Sequence, residues 1–228
     1  MMRVADYIVG KLADHGIGHV FMVTGGASMH LNDAFGRESK IKKVFCHHEQ
    51  ACAMAAESYF RVSNRIAAVN VTAGPGSTNA ITGVYGAHVD SMALIVVSGQ
   101  SKRETLVSLT KLPLRQLGDQ EVNIVELVKE ITKYAVRIDD PSTIRYHLER
   151  ALHLAPQGRP GPVWLDIPID VQGAKIDPSK LKGYDPKEDE IRYQTDHLEE
   201  TVAVVAKRLA TAKRPVIYAG TGVRLSGQ

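Results

Sequence analysis

RIAAVNVTAGPGSTNAITGVYGAHVDSMALIVVS, residues 65–98, spells a strand from Arg65 to Thr72, a turn at Gly74-Pro75-Gly76, a helix from Ser77 to about His88 and a second strand from Ala93 to Ser98. Apolar residues run unbroken from Ala93 to Val97, and a strand so uniformly apolar is buried on both faces, as in parallel sheets covered by helices. The same β-turn-α unit recurs upstream. Val4 to His15 reads as a helix with Val4, Ile8 and Leu12 on one stripe, ended by Gly16 and Gly18. His19 to Val23 follows as a strand, Thr24-Gly25-Gly26 as a turn into a helix through Phe35, Lys42 to Phe45 as a strand and Glu49 to Arg61 as a helix. Downstream, Gly99 to Asn123 is a polar connection long enough to suggest a binding or lid element. Ile124 to Val128 reads as helix, Tyr134 to Ile138 as strand, Asp140-Pro141-Ser142 as the start of a helix to Leu154, and Pro162 to Ile167 as the closing strand. The fold class is α/β, a parallel sheet flanked by helices.

Composition narrows the function classes. The 228 residues are 44% hydrophobic and 23% charged, ordinary globular usage that excludes a disordered, collagen-like or low-complexity chain. Twenty-eight Lys and Arg against 25 Asp and Glu leave a scattered formal charge of +3, so nucleic acid is not indicated as a partner. Apolar stretches such as Met92 to Val97 fall far short of the roughly 20 residues of a membrane span. Asp6, Lys11 and Asp14 interrupt any secretory leader pattern, which makes a cytoplasmic protein the expectation. Cys46 and Cys52 have neither CxxC nor zinc-pair spacing and read as ordinary buried thiols, with no metal expected. Residues 1–170 form the expected main domain. Residues 171–195, shifted toward Asp, Lys, Pro and Gly, form an expected linker. Residues 196–228, with a helix over His197 to Ala210 and a strand over Pro215 to Ala219, look like the start of a second α/β domain.

In a parallel sheet the turns at Gly25-Gly26, at Glu49 and at Gly74-Pro75-Gly76 all fall outside the carboxyl ends of the strands, where α/β folds bind ligands. Glycines there let backbone approach a ligand, and helix N-termini offer free N–H groups. The residues around Gly74 read GxGxxN, which fails the dinucleotide fingerprint, and GxxxxGK[ST] is absent. A tight turn opening a helix remains an account of that motif. His47-His48-Glu49-Gln50 resembles HExxH until Cys52 takes the second histidine's place. Glu49 has a plain account as a carboxylate stabilised by about 0.3–1 kcal/mol at a helix N-terminus, and His47 and His48 have one as a turn pair. Ser77, Ser98 and Ser101 sit near turns, but none lies in GxSxG.

Residues 17–170 resemble the pyrimidine-binding domain of thiamine-diphosphate enzymes, and most of all the acetolactate synthase (acetohydroxyacid synthase) group. The likeness rests on motifs in order: Gly18-His19-Val20-Phe21 with Gly25-Gly26; His48-Glu49-Gln50-Ala51 with Ala55-Ala56-Glu57-Ser58-Tyr59; and Thr72 through Asn79 with Asp90-Ser91 and Ser98-Gly99-Gln100. Gln120-Glu121 then leads to Ile124-Val125 and Thr132-Lys133, and Gly158-Arg159-Pro160-Gly161-Pro162-Val163 with Asp166-Ile167-Pro168 closes the domain. The resemblance implies that Glu49 contacts the aminopyrimidine N1′ of thiamine diphosphate. It favours there the imino tautomer that takes the proton from the thiazolium C2, the resulting ylide attacks a 2-keto acid, and carbon dioxide leaves. Burial against the cofactor is expected to raise the Glu49 pKa. By the same carry-over Thr24, Gly25, Thr72, Pro75, Gly76 and Asn79 line the aminopyrimidine pocket, and Gln120 points to the reacting carbonyl.

Two positions depart from the group's pattern. Thr24 stands where proline is usual, and Asp119 where acetolactate synthases carry phenylalanine, which leaves substrate choice open. The family's GDG…N motif, which holds magnesium and the diphosphate on another subunit, has no counterpart in this sequence. The expectation is an N-terminal piece or split subunit of a homo-oligomer, holding half a site and inactive alone. FAD, used by part of the family, is not supported by these residues. The rival expectations are a non-catalytic interaction module that pairs with a diphosphate-domain partner and a nucleotide-binding oxidoreductase, the latter resting on the generic α/β pattern alone.

Overall fold

The apolar runs of the sequence form the middle of a six-stranded parallel sheet. The structure, a computed structural model, describes residues 1–110, 112–191 and 195–227. A first unit, Met1–Glu188, runs β1 (Met2–Arg3), α1 (Val4–Asp14), β2 (His19–Met22), α2 (Met29–Arg37), β3 (Lys42–Phe45), α3 (Glu49–Ser63), β4 (Ala68–Val71), α4 (Pro75–Val89) and β5 (Ile95–Gln100). It continues with α5 (Val107–Thr110), α6 (Ile124–Val128), β6 (Tyr134–Arg137), α7 (Ile144–Leu154), β7 (Val163–Pro168), α8 (Ile169–Gly173) and β8 (Lys175–Ile176). The main sheet has the order β3-β2-β4-β5-β7-β6, with every neighbouring pair parallel, so the expected fold class is the one observed.

Every residue of β4, β5 and β7 is buried. Each fully buried Val or Ile there contributes about 1.5–3 kcal/mol relative to exposure. The edge strand β3 instead presents Lys42 and Lys43, charges that discourage pairing with a further strand. Val4, Ile8 and Leu12 of α1 are all fully buried, as their spacing predicts. Helix α4 begins on Pro75, whose missing N–H lies where no intrahelical partner exists. Helices α3 and α4 approach closely at Gly83, where a Cβ would lie 2.6 Å from the Ala53 Cβ. That contact sets the N-terminal turns of the two helices side by side.

Three stretches differ from the sequence reading. The segment read as a linker packs on the first unit as far as Glu188. Val171 and Gln172 are buried, and β8 pairs antiparallel with β1, Met2 opposite Ile176. The Gln172 amide accepts from Leu31 N–H and donates to the Ala27 and Ile167 carbonyls, long-range bonds that a composition shift does not announce. The connection after β5 is shorter than read: the strand continues to Gln100, and α5 interrupts the remainder of the loop. In the second unit, Asp189–Gln228, α9 (Leu198–Thr211) and α10 (Thr221–Leu225) form, but Pro215–Ala219 is not a strand. Ile217 is 80% and Tyr218 99% exposed. A strand needs a neighbour to take its backbone hydrogen bonds, and none is present among the described residues of that unit. No helix among the described residues is long and apolar enough to cross a membrane.

Candidate active site at the carboxyl edge of the sheet

Parallel pairing brings the chain leaving β2, β3, β4 and β5 to one edge of the sheet. Thr72, just past β4, is the centre of that edge. A Cβ on Gly25 would lie 2.4 Å from the Thr72 Cβ, and one on Gly76 2.6 Å from its Cγ2. The turn after β2 and the first turn of α4 therefore close on Thr72 from two sides, at a distance only glycine permits. The same Cβ position on Gly76 is 3.5 Å from Glu49 Oε1. Glu49 opens α3 and is half-buried, where free helix N–H groups favour a carboxylate. Asn79 Nδ2 donates to Glu49 Oε2 at 3.0 Å. Glu49 Oε1 has no hydrogen bond among the described residues.

The plain account of His48 is the one observed, since its Nδ1 accepts from Gln50 N–H at 3.1 Å and caps α3. His47, Thr24 and Pro75 are exposed, the last two next to Gly25 and Gly76. Cys52 is buried within α3, and burial pushes its thiol up, with Cys46 and Glu49 adding in the same direction. Among the described residues no three His, Cys, Asp or Glu side chains group so as to hold a metal ion.

Gln120, distant in sequence, is brought onto this edge. Gly74 has φ +57°, and a Cβ there would lie 2.4 Å from the Gln120 carbonyl oxygen and 2.9 Å from the Gln120 Cβ. Gln120 is exposed and itself left-handed, with φ +52°. Sequence reasoning missed the buried groups beneath it. Asp166 on β7 is buried between its register partners Ser98 and Arg137. Ser98 Oγ donates to Asp166 Oδ1 at 2.6 Å, and Gln100 Nε2 donates to Asp166 Oδ2 at 2.9 Å. Burial pushes the Asp166 carboxyl up to about 7, against the pull of those two bonds and of Arg137. The available signal was a lone acid within the apolar run Val163–Pro168.

The carboxyl edge thus brings together Thr72, the two glycines packed against it and a carboxylate with one oxygen held by Asn79 and the other without a hydrogen bond among the described residues. A methyl group on Gly25 or Gly76 would strike Thr72. Residues 2–127 match the family model described as thiamine pyrophosphate enzyme, N-terminal TPP binding domain. The chain is 36% identical over 231 residues to a chloroplastic acetolactate synthase of Arabidopsis thaliana, covering 96% of this chain and 31% of that one. It is 35% identical over 237 residues to a probable acetolactate synthase large subunit of Methanocaldococcus jannaschii, covering 99% and 37%. The acetolactate synthase large subunit of Corynebacterium glutamicum is 34% identical over 227 residues, covering 97% and 34%. The chain spans about a third of the length of these curated relatives.

Proposed function

Because the chain belongs to the thiamine pyrophosphate enzyme family, as an N-terminal TPP binding domain, we propose that its carboxyl edge holds the aminopyrimidine ring of thiamine diphosphate in an acetolactate synthase-like enzyme acting on 2-keto acids. The observation that carries the reading is Glu49, one oxygen fixed by Asn79 and the other open toward Gly76. When bound, the cofactor supplies a thiazolium that accepts the electron pair left as a 2-keto acid loses carbon dioxide.

The chain's own residues hold and orient. Glu49 Oε1 shares a proton with the ring nitrogen N1′, and the Asn79 bond prevents the carboxylate from turning away. Thr72, flanked by Gly25 and Gly76, would support the ring, and Thr24 and Pro75 would border it. Gln120 directs its amide to the reacting carbonyl. Magnesium and the diphosphate belong to a second domain, contributed by another subunit of a homo-oligomer, so these 228 residues alone do not turn substrate over.

The test follows the C2 proton of the bound cofactor. In the assembled enzyme Glu49→Gln is expected to slow its exchange with solvent by about 10², the scale of a positioned acid-base group. An unchanged rate removes Glu49 from the mechanism. Turnover of pyruvate by the pure chain with cofactor and magnesium would refute the shared site.

A further inference from the structure

Gln120 stands in a backbone conformation that glutamine rarely adopts, on an exposed turn. A non-glycine residue in the left-handed region is strained and persists where its surroundings over-determine it. The determinants here are buried and remote in sequence. Gln100 uses its whole amide: Nε2 donates to Asp166 Oδ2 at 2.9 Å and to the Val122 carbonyl at 2.8 Å, and Oε1 accepts from Ser101 N–H at 3.0 Å. Ser98 Oγ donates to Asp166 and accepts from Trp164 Nε1 at 2.8 Å, so it too is saturated. Ser101 Oγ donates to the Asp119 carbonyl at 2.9 Å. Asp119 and Val122 thus anchor the turn on both sides of Gln120. The Glu121 carboxylate closes it from within, accepting from Gly118 N–H at 2.8 Å and Val107 N–H at 3.0 Å.

The strand pattern explains how the relay is built. Ser98 and Gln100 alternate onto one face of β5, Trp164 and Asp166 onto the matching face of β7, and Ser98 stands opposite Asp166 in register. A leucine at position 100 would leave Asp166 Oδ2 and the Val122 carbonyl short of a donor, a cost to each unmatched buried group. A glutamate there would set a second acid against Asp166.

We infer that Asp166, Ser98 and Gln100 are positioning residues, a buried polar relay that fixes the turn over residues 118–122 and so holds Gln120 against Gly74 at the carboxyl edge. The catalytic meaning rests on the role proposed above for Gln120; the docking of the turn does not.

The experiment is native-state amide exchange read by mass spectrometry on the full chain without cofactor, comparing Gln100→Met with the parent. Methionine keeps length and bulk and removes every amide bond. Exchange of the peptides covering residues 101–123 is expected to rise by about tenfold or more, the worth of one lost hydrogen bond, with β4 and β7 peptides unchanged. Ser101→Ala, which removes only the anchor to Asp119, is expected to raise exchange in the same peptides by less. Parent-like exchange over 101–123 in both variants overturns the proposal. So does an equal rise in strands and turn, which would mark Gln100 as general scaffolding. Since the readout involves no cofactor, failure of the Glu49 test leaves this result standing, and the reverse holds as well.

Discussion

Two turns meet at Gly74, and they are held in opposite ways. The turn over Thr72–Asn79 is a local construction: a glycine with positive φ, a proline at the first helical position and the Ser77 hydroxyl donating to the Thr72 carbonyl at 2.7 Å. The turn carrying Gln120 has its own local bond, from Gly118 N–H to the Glu121 carboxylate, but leans as well on remote side chains: Gln100 and Asp166 of β5 and β7, and Ser101 just past β5. A local turn takes its shape from a few neighbouring residues and is robust to change elsewhere. A remotely anchored turn can be released from a distance without touching the residue it presents.

The largest expected effect tests the remote anchor. Asp166 has its folded pKa raised from 3.8 to about 7 by burial, with Asp139 adding to the rise and Ser98, Gln100 and Arg137 opposing it. Below the unfolded value both states hold the proton and stability does not depend on this group. Between there and about 7 the folded state keeps a proton that the unfolded state has released, so stability falls as pH rises and levels off above about 7. Urea unfolding of Asp166→Asn at stepped pH is expected to lose that part of the slope, a difference on the order of a few kcal/mol across the window. Parallel pH curves for parent and variant would show that Asp166 does not titrate there.

The local turn is tested next by Gly74→Ala. The new Cβ would meet the Gln120 carbonyl oxygen at 2.4 Å in a conformation L-residues avoid. A loss of roughly 2 kcal/mol in urea unfolding is expected. A neutral result would mean that the two turns do not touch as described. Gln120→Gly should have the smallest effect, within about 0.5 kcal/mol of the parent, because relief of the left-handed strain offsets the added freedom of the unfolded chain. A larger loss would assign the Gln120 side chain a role in holding the turn, beyond the relay, Ser101 and Glu121.

The contrast between local and remote anchoring also explains how much was legible in the sequence. The parallel sheet and the helix stripe of α1 come from periodicity and turn chemistry within a few residues and could be read, as could α4, though the sequence reading starts it at Ser77 and the helix opens two residues earlier, on Pro75. Glu49 was visible as a helix-opening carboxylate, with its partner Asn79 known only through family resemblance, because the bond between them depends on α3 and α4 meeting at Gly83. Gln120 was likewise legible only by resemblance. The relay was legible only as a lone acid within the apolar run of β7, since Ser98 and Gln100 lie on β5 and nothing local marks them as its partners. Pro215–Ala219 shows the converse error: a locally clear strand signal remains irregular where no neighbouring strand pairs with it among the described residues of its unit.

The strand order has a kinetic consequence. Strands β2 to β5 join through short crossovers, while β6 and β7 pair with one another and meet the rest along the β5–β7 line, closing the long loop between Ile95 and Val163. Loop closure over that span comes at a higher entropic cost and is slower than the local pairings. Glu49, Thr72 and Asn79 lie on the side of the shorter closures, and the relay lies on the seam itself. The β5–β7 seam is thus the long-range closure on which the anchors of Gln120 depend, whereas Glu49 and Asn79 depend on the nearer packing of α3 against α4.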